Sequence, residues 1–244
     1  LIGTFIVFIL LIINGKNILR IDLKEKLNLN KIKEISILGI PMSFQRVLFT
    51  LVNIILARII GGFGSDAIAA QKIGLQIESI VYMVVGGLNG AISSFVGQNF
   101  GAKKYGRINE GYNKALIIGV IYALFVTLAF TLIPETLIKL FIREEKTIKI
   151  ASEYLRIIGV SQIFSTIEMI SNGVFTGVGK PRIPAFISIF FTVLRIPMAI
   201  ILTRYIGVKG IWYAISISSI LKGVISCIAY RVKIWRNYNN VKDN

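Results

Sequence analysis

The sequence has no histidine and only one cysteine, Cys227, and both shortages limit the chemistry that the chain can perform. Without histidine there is no Ser–His triad, no His-based zinc site and no histidine proton relay. A single cysteine cannot form an intramolecular disulfide framework. We therefore expect no enzyme activity, no bound cofactor and no resident metal in this chain.

Charged residues are also scarce, and the apolar content is correspondingly high. They make up 16% of the 244 residues, whereas a soluble domain carries about 25%. Hydrophobic residues make up 55%, and the mean hydropathy is +0.73. A soluble fold of this size cannot bury so much apolar surface, so lipid must cover part of it. The composition predicts an all-α integral membrane protein with the lipid bilayer as its main partner.

Six long apolar segments predict a bundle of six transmembrane helices, each long enough to cross a hydrocarbon core of about 30 Å. A seventh apolar run, at 1–13, is too short to span and is expected to be the last part of a helix that begins upstream. Because the chain starts inside this run, we expect it to be a fragment of a longer protein. The six predicted segments are 35–60, 73–97, 115–134, 154–177, 185–206 and 210–230.

The basic residues predict the orientation of this bundle. Segments on the same side as the C-terminal tail carry 16 Lys and Arg, and segments on the other side carry eight. Since cytoplasmic loops collect basic residues, we place the charged segment 14–34 and the tail 232–244 in the cytoplasm, on either side of a bundle at 35–231. The net charge of +16 then follows from a multi-pass protein of the cell membrane, and nucleic acid is not an expected partner.

Polar residues recur at helical spacing on three of the predicted helices, so each set shares one face. Such residues must turn toward a cavity or a partner inside a bilayer. Glu168 is the deepest carboxylate and Glu78 is expected nearer the outer interface, and either is a possible Na⁺ ligand. The candidate residues for binding a substrate or an ion are Glu168, Glu78, Ser165, Gln162, Asn172, Asn53, Gln45, Arg46, Tyr82 and Asn89.

A structural role is the alternative for these residues. Glu78 and Glu168 can instead neutralise buried cations, namely Arg46, Arg195 or Lys222, and the amides can bridge helices. Two glycine pairs, Gly86-x-x-x-Gly90 and Gly173-x-x-x-Gly177, have the spacing that lets helix backbones approach closely.

Several local patterns resemble one family, the multidrug and toxic compound extrusion (MATE) transporters. The most specific is similar to the Gly-Gln-Asn-x-Gly-Ala signature that ends the eighth helix of that family. The resemblance covers about residues 33–233. It is carried by Leu38-Gly-Ile-Pro41 with Gln45, Ala67-Ile-Ala-Ala-Gln71 through Glu78-Ser79, Val96-Gly-Gln-Asn-Phe-Gly101-Ala102, Gly173-Val-Phe-Thr-Gly177-Val-Gly179-Lys-Pro181 and Gly207-Val-Lys-Gly210-Ile-Trp212.

The resemblance implies the C-terminal lobe of a twelve-helix transporter built from two six-helix lobes. Residues 1–13 would then end the sixth helix, and 14–34 would link the lobes. The implied function is antiport: export of small, often cationic organic compounds in exchange for H⁺ or Na⁺, by alternating access with an N-terminal lobe absent from this chain. Some branches carry a carboxylate at the position of Phe49 and an Asp near Ser165, so this chain departs from their ion site, and Glu168 lies one turn further on.

Three other functions remain open from the sequence. A lipid-linked oligosaccharide flippase of the same superfamily would use buried cations, and Arg46, Arg195 and Lys222 fit that requirement. The Gly-Gln-Asn-Phe-Gly-Ala run favours the exporter instead. A lipid-modifying enzyme and a structural, non-transporting membrane subunit are the alternatives from other classes.

We predict that Asn239 faces the cytoplasm and that Ser65 faces the opposite side, because of the sixteen-to-eight bias in basic residues. Single cysteines are introduced at each position of a Cys227→Ser background and treated with an impermeant thiol reagent in intact cells. The cysteine at 65 should react and the cysteine at 239 should not. The opposite labelling pattern would contradict this topology.

Overall fold

The computed structural model describes residues 29–235, which fold as helices joined by short turns. The chain divides at Ser36 into two units, and of the first the structure describes only Leu29–Ser36, which is helical. The predicted helix end at 1–13, most of the linker 14–34 and residues 236–244 of the tail lie outside the described residues. The helices are α1 (Leu29–Gly61), α2 (Ser65–Gly101), α3 (Tyr105–Leu132), α4 (Pro134–Lys139), α5 (Glu145–Gly159), α6 (Ser161–Gly177), α7 (Arg182–Ile206) and α8 (Lys209–Tyr230), followed by a π-helical turn at Arg231–Trp235.

Five stretches are long and apolar enough to cross a membrane, which confirms the all-helical membrane fold. The longest is α2, which with 37 residues extends to about 55 Å and exceeds the hydrocarbon core. It begins at Ser65 rather than at residue 73, so most of the predicted outer loop is helical. The five stretches are Gly39–Gly61, Ser65–Gly101, Tyr105–Leu132, Arg182–Ile206 and Lys209–Ile234.

The predicted span 154–177 is not one uninterrupted helix. The structure divides it at Val160 into α5 and α6. Two hydroxyl groups bond to backbone carbonyls at the break: Thr127 Oγ1 donates to the Gly159 oxygen at 2.8 Å, and Ser161 Oγ donates to the Ile158 oxygen at 2.8 Å. Side chains that bond to helix carbonyls in this way are a known cause of kinks. Hydropathy alone does not detect such a break.

Glycine and proline mark several helix ends. The turn before α2 contains Gly64 with φ 105°, and Gly207, which directly follows the last residue of α7, has φ 62°. Both values lie in the left-handed region that favours glycine. Pro134 is the first residue of α4. A backbone N–H at this position has no acceptor within the helix, so proline, which lacks the N–H, is tolerated there.

The most extensive packing joins α8 to α7 and α6, and joins α6 to α2. Two apolar cores form along these contacts. One contains Tyr154 and Trp212, whose rings meet edge to face with centroids 5.5 Å apart. The other contains Tyr112 of α3 and Tyr230, the last residue of α8. Helix α6 therefore lies at the centre of the bundle that holds the polar site.

Close helix approach depends on glycine at Gly173, Gly177 and Gly223, among other positions. A Cβ added to Gly173 would lie 2.8 Å from the Asn89 carbonyl oxygen of α2. A Cβ added to Gly177 would lie 2.6 Å from the Ser93 carbonyl oxygen of the same helix. A Cβ on Gly223 of α8 would collide with the Phe164 carbonyl of α6. The predicted close approach is thus confirmed for Gly173 and Gly177. At Gly86 and Gly90, by contrast, no atom of the described residues lies within 4 Å of an added Cβ.

We predict that Gly177→Ala destabilises the full-length protein, because the added methyl group must push α2 away from α6. Overpacking of this kind costs about 1–3 kcal/mol. Thermal unfolding in detergent measures the effect, with Gly90→Ala as the control because its added methyl group meets open space. Equal melting temperatures for the two variants would contradict the close α2–α6 contact.

Candidate functional site

A cavity of about 280 Å³ opens between the helices of the second unit. Most of the residues that line it have polar side chains, and two of these are acidic and two are basic. Such a lining inside an apolar helix bundle indicates a binding site rather than a packing defect. The lining residues are Gln45, Phe49, Asn53, Gln71, Leu75, Glu78, Tyr82, Tyr154, Ile158, Ser161, Ser165, Glu168, Met169, Asn172, Ser188, Arg195, Ile215, Ser219 and Lys222.

Glu78 of α2 is surrounded by neutral hydrogen-bond donors. Its side chain accepts bonds from the Tyr154 hydroxyl, from the Tyr82 hydroxyl at 3.2 Å and from Gln162 Nε2 at 3.3 Å. The residue is only 5% exposed. Three donors satisfy an ionised carboxylate without neutralising it. Among residues 29–235, no basic side chain lies within 4.0 Å of the Glu78 carboxylate to form an ion pair with it.

Glu168 of α6 has a different environment because it forms a buried ion pair. Its Oε2 lies 3.1 Å from Lys222 Nζ of α8. Both side chains are less than a tenth exposed. Removal of one partner from such a pair leaves a buried charge without compensation. The pairing role considered for Glu168 is therefore present in the structure, with Lys222 as the partner.

Arg195 of α7 is the second buried cation. Its Nε donates to Ser218 Oγ at 2.6 Å, and its Nη2 donates to Ser219 Oγ at 3.0 Å. The guanidinium carbon lies 6.0 Å from the centroid of the Phe49 ring. None of the four ion pairs found among residues 29–235 includes Arg195. Neutral groups therefore hold this arginine, as they hold Glu78.

The structure brings most of the predicted site residues together. Glu78 and Glu168 line the same cavity at 5% and 7% exposure, so Glu78 is as deeply buried as Glu168. The predicted residues that line the cavity are Gln45, Asn53, Glu78, Tyr82, Ser165, Glu168 and Asn172.

Three predicted residues lie elsewhere. Gln162 is buried beside the cavity and acts through Glu78. Asn89 donates to the Met169 carbonyl, which makes it a bridge between α2 and α6. Arg46 is exposed and borders a neighbouring pocket on α1.

The candidate list from the sequence omitted seven polar residues of the cavity lining, namely Gln71, Tyr154, Ser161, Ser188, Arg195, Ser219 and Lys222. Tyr154 lies at the start of a predicted span, where a tyrosine normally indicates the membrane interface. Gln71, which accepts a bond from Trp212 Nε1 at 2.9 Å, preceded the predicted start of its helix. Arg195 and Lys222 were visible as intramembrane charges, and that is the signal that locates them.

Residues 29–235 contain no group of three or more Cys, Asp or Glu side chains placed to hold a metal ion. The two cavity carboxylates have separate partners, three neutral donors for Glu78 and an ammonium for Glu168. Such an arrangement can bind charged groups reversibly.

The family profile MatE matches residues 41–201, which is more than half of the chain. The chain belongs to the MatE family. Curated relatives include a probable multidrug resistance protein NorM of Thermotoga maritima, 29% identical over 83% of this chain and 44% of that protein. Another is the multidrug export protein MepA of Staphylococcus aureus, 23% identical over 88% of this chain and 48% of its own length. This chain thus spans about half the length of the curated relatives that it matches.

Solved structures agree on the fold. A crystal structure of MATE in the straight conformation aligns with a TM-score of 0.85 at 20% identity, over 96% of this chain and 54% of that one. An outward-facing multidrug resistance MATE transporter of the MOP superfamily aligns with a TM-score of 0.77 at 22% identity, over 84% and 46%. The predicted resemblance is confirmed, and the fold is part of a MATE-type membrane transporter fold.

We predict that Glu168→Gln destabilises the protein, because it leaves the Lys222 ammonium buried without an ion-pair partner. Breaking a buried ion pair costs about 3–5 kcal/mol. The double variant Glu168→Gln/Lys222→Met removes both charges and should recover most of this loss in detergent melting experiments.

Glu153→Gln is the matched control for this prediction. This substitution breaks the ion pair between Glu153 and Lys209, whose two side chains are 44% and 46% exposed, respectively. Such a surface pair contributes less than about 1 kcal/mol to the free energy of unfolding. A Glu168→Gln protein as stable as the wild type would contradict the ion pair. A Glu168→Gln/Lys222→Met protein that is no more stable than Glu168→Gln would also contradict the ion pair.

Proposed function

We propose that the chain is the C-terminal half of a secondary antiporter in the cell membrane that exports small organic compounds in exchange for H⁺, with Glu78 as the exchanging carboxylate. The observation that carries this proposal is a buried carboxylate, in a cavity, whose hydrogen-bond partners are all neutral. The names of the relatives, multidrug resistance and multidrug export proteins, support the substrate class.

Glu78 can be satisfied in both protonation states. As an anion it accepts from Tyr154, Tyr82 and the Gln162 amide nitrogen. As a neutral acid it needs an acceptor for its own O–H. Gln162 Oε1 is buried and has no hydrogen-bond partner among residues 29–235. Rotation of the Gln162 amide would turn this oxygen toward Glu78, so that a proton can bind without leaving a buried donor unpaired.

Glu168 is less suited to exchange a proton, although it is the carboxylate that the sequence ranks first. A proton on Glu168 would cancel its charge and leave Lys222 as an isolated buried cation, which is costly. We therefore assign to Glu168 the role of holding Lys222 at the cavity wall. A cation or a proton would bind to Glu78 in preference.

The same ion pair favours H⁺ over Na⁺ as the coupling ion. Ser165, Glu168 and Asn172 offer oxygen atoms on one face of α6, and Asn172 Oδ1 has no partner among the described residues. However, the Lys222 ammonium lies 3.1 Å from the Glu168 carboxylate and would repel a second cation there. A proton on Glu78 meets no such neighbour within ion-pair distance.

The flippase alternative depends on buried cations along the cavity. Lys222 is neutralised by Glu168, which leaves Arg195 as the single buried cation without an ion-pair partner in the described cavity lining. One such arginine is a weak match for a pyrophosphate group, which carries several negative charges. The MatE match also favours the exporter.

We predict that Glu78→Gln, in the full-length protein reconstituted in liposomes, lowers the efflux of a cationic dye driven by a pH gradient by about tenfold or more. The amide keeps the shape of the protonated acid but cannot exchange a proton. Efflux is normalised to the amount of folded protein.

The double variant Glu168→Gln/Lys222→Met keeps the charge balance and Glu78, so it should retain most of the normalised efflux. The exposed Glu153→Gln is the negative control. Full normalised efflux by Glu78→Gln would refute the assignment. Loss of efflux in the folded double variant with retention in Glu78→Gln would return the coupling role to Glu168.

A further inference from the structure

We propose that a second pocket, between α3 and α8, binds one anionic phospholipid, with Arg231, Asn109 and Asn113 as the groups that hold its phosphate. This α3–α8 pocket has a volume of about 320 Å³ and shares no lining residue with the cavity that contains Glu78. The inference therefore does not depend on the transport function proposed above. The lining residues are Asn109, Tyr112, Asn113, Leu116, Cys227, Tyr230 and Arg231.

The α3–α8 pocket lies at the level of a lipid head group. Arg231 is in the last turn of the membrane-crossing stretch Lys209–Ile234, and Asn109 is in the second turn of the stretch Tyr105–Leu132. The Tyr230 hydroxyl donates to Asn109 Oδ1 at 3.1 Å, so the end of α8 and the start of α3 lie side by side. The phosphates of a bilayer lie at this level, just outside the hydrocarbon core.

The side chains of the pocket offer hydrogen-bond donors to a phosphate. Arg231 is exposed and is the one charged side chain of the described lining, and none of the four ion pairs found among residues 29–235 includes it. The Tyr230 hydroxyl occupies Asn109 Oδ1, which leaves the Nδ2 group of this amide available as a donor. Asn113, one turn further along α3, adds a second amide. A guanidinium can hold a phosphate with two parallel bonds.

Two tyrosine rings form the inner wall of the pocket. The rings of Tyr112 and Tyr230 have their centroids 3.7 Å apart, and each residue is 2% exposed. The Tyr112 hydroxyl and Ser171 Oγ of α6 share a hydrogen bond of 2.9 Å. Because both hydroxyl groups have partners within the protein, this wall is fixed before a ligand binds. A preorganised wall lowers the entropy that binding must overcome.

Apolar side chains continue from the pocket toward the middle of the membrane, which favours a lipid over a soluble phosphate. On α3, Leu116 of the lining is followed at helical spacing by Val120 and Leu124. Leu124 is 46% exposed, and Val224, on the facing part of α8, is 39% exposed. Helices α3 and α8 are not among the pairs that pack extensively. An acyl chain can therefore lie along this surface while its head group occupies the pocket. Basic pockets between transmembrane helices suit anionic head groups.

Lipid binding to the purified protein in detergent tests this inference. Native mass spectrometry resolves the first lipid bound, with phosphatidylglycerol as the anionic probe and phosphatidylcholine with the same acyl chains as the net-neutral probe. The wild type is compared with Arg231→Gln and with the matched control Arg182→Gln. Arg182 is an exposed arginine at the start of α7 that does not line the pocket.

We expect Arg231→Gln to weaken binding of the first phosphatidylglycerol by about fivefold or more, because one basic residue contributes about that factor at an anionic lipid. Phosphatidylcholine should bind the wild type more weakly, and Arg231→Gln should reduce the difference between the two lipids. Arg182→Gln should change phosphatidylglycerol binding by less than about twofold. Equal weakening in the two variants, or unchanged binding to Arg231→Gln, would overturn the proposal.

The Cys227 thiol, which is partly exposed and lines the pocket, reports where the lipid binds. Its rate of modification by N-ethylmaleimide is measured by peptide mass spectrometry. Saturating phosphatidylglycerol should slow the reaction by about threefold or more in the wild type, because only the lipid-free fraction reacts readily. The same lipid concentration should give less protection in Arg231→Gln.

Two results of the thiol experiment would overturn the proposal. Bound phosphatidylglycerol that leaves the reactivity of Cys227 unchanged would place the lipid elsewhere on the protein. The soluble compound sn-glycerol 1-phosphate carries the phosphate but no acyl chains, so at the same concentration it should not protect Cys227. Equal protection by this compound would identify a site for soluble phosphates instead of a lipid site.

Discussion

The close approach of α8 to α6 is the constraint on which the polar site depends. Gly223 places the α8 backbone against the Phe164 carbonyl, and no larger residue fits there without a shift. The preceding residue, Lys222, reaches Glu168 across the same contact. Because the pair is buried, its distance must be maintained by the packing around it. Gly223 thus permits the ion pair between Lys222 and Glu168. The two other charged side chains of the cavity, Glu78 and Arg195, are outside this pair.

The polar contacts of the cavity join five helices, α2, α5, α6, α7 and α8. Tyr154 of α5, Tyr82 of α2 and Gln162 of α6 meet at Glu78, and two serines of α8 hold Arg195 of α7. In lipid, polar groups must find partners inside the protein. The hydrogen bonds that satisfy these groups therefore also fix the relative positions of the helices. The same residues thus determine the stability of the bundle and the geometry of the cavity.

The sequence predicted the fold better than the site. Apolar runs gave the spans, and helical spacing brought Glu78, Tyr82 and Glu168 to one cavity, because both signals are local and periodic. The break at Val160 is not visible in the hydropathy, because one of the two hydroxyl groups bonded to backbone carbonyls there belongs to Thr127, a residue of another helix. The partner of Glu168 was left open among three cations because the choice depends on which helices pack together, and Arg46 and Lys222 lie on opposite ends of the sequence.

The charge balance of the cavity connects exchange with substrate choice. With Glu78 ionised, the four charged side chains sum to zero, and a positively charged group can take the place beside Glu78. A proton on Glu78 leaves the cavity with a net positive charge from Arg195, which repels a cation and retains an anion. Under the function proposed above, a proton and a cationic group compete for this one carboxylate, which is the condition for exchange rather than co-transport.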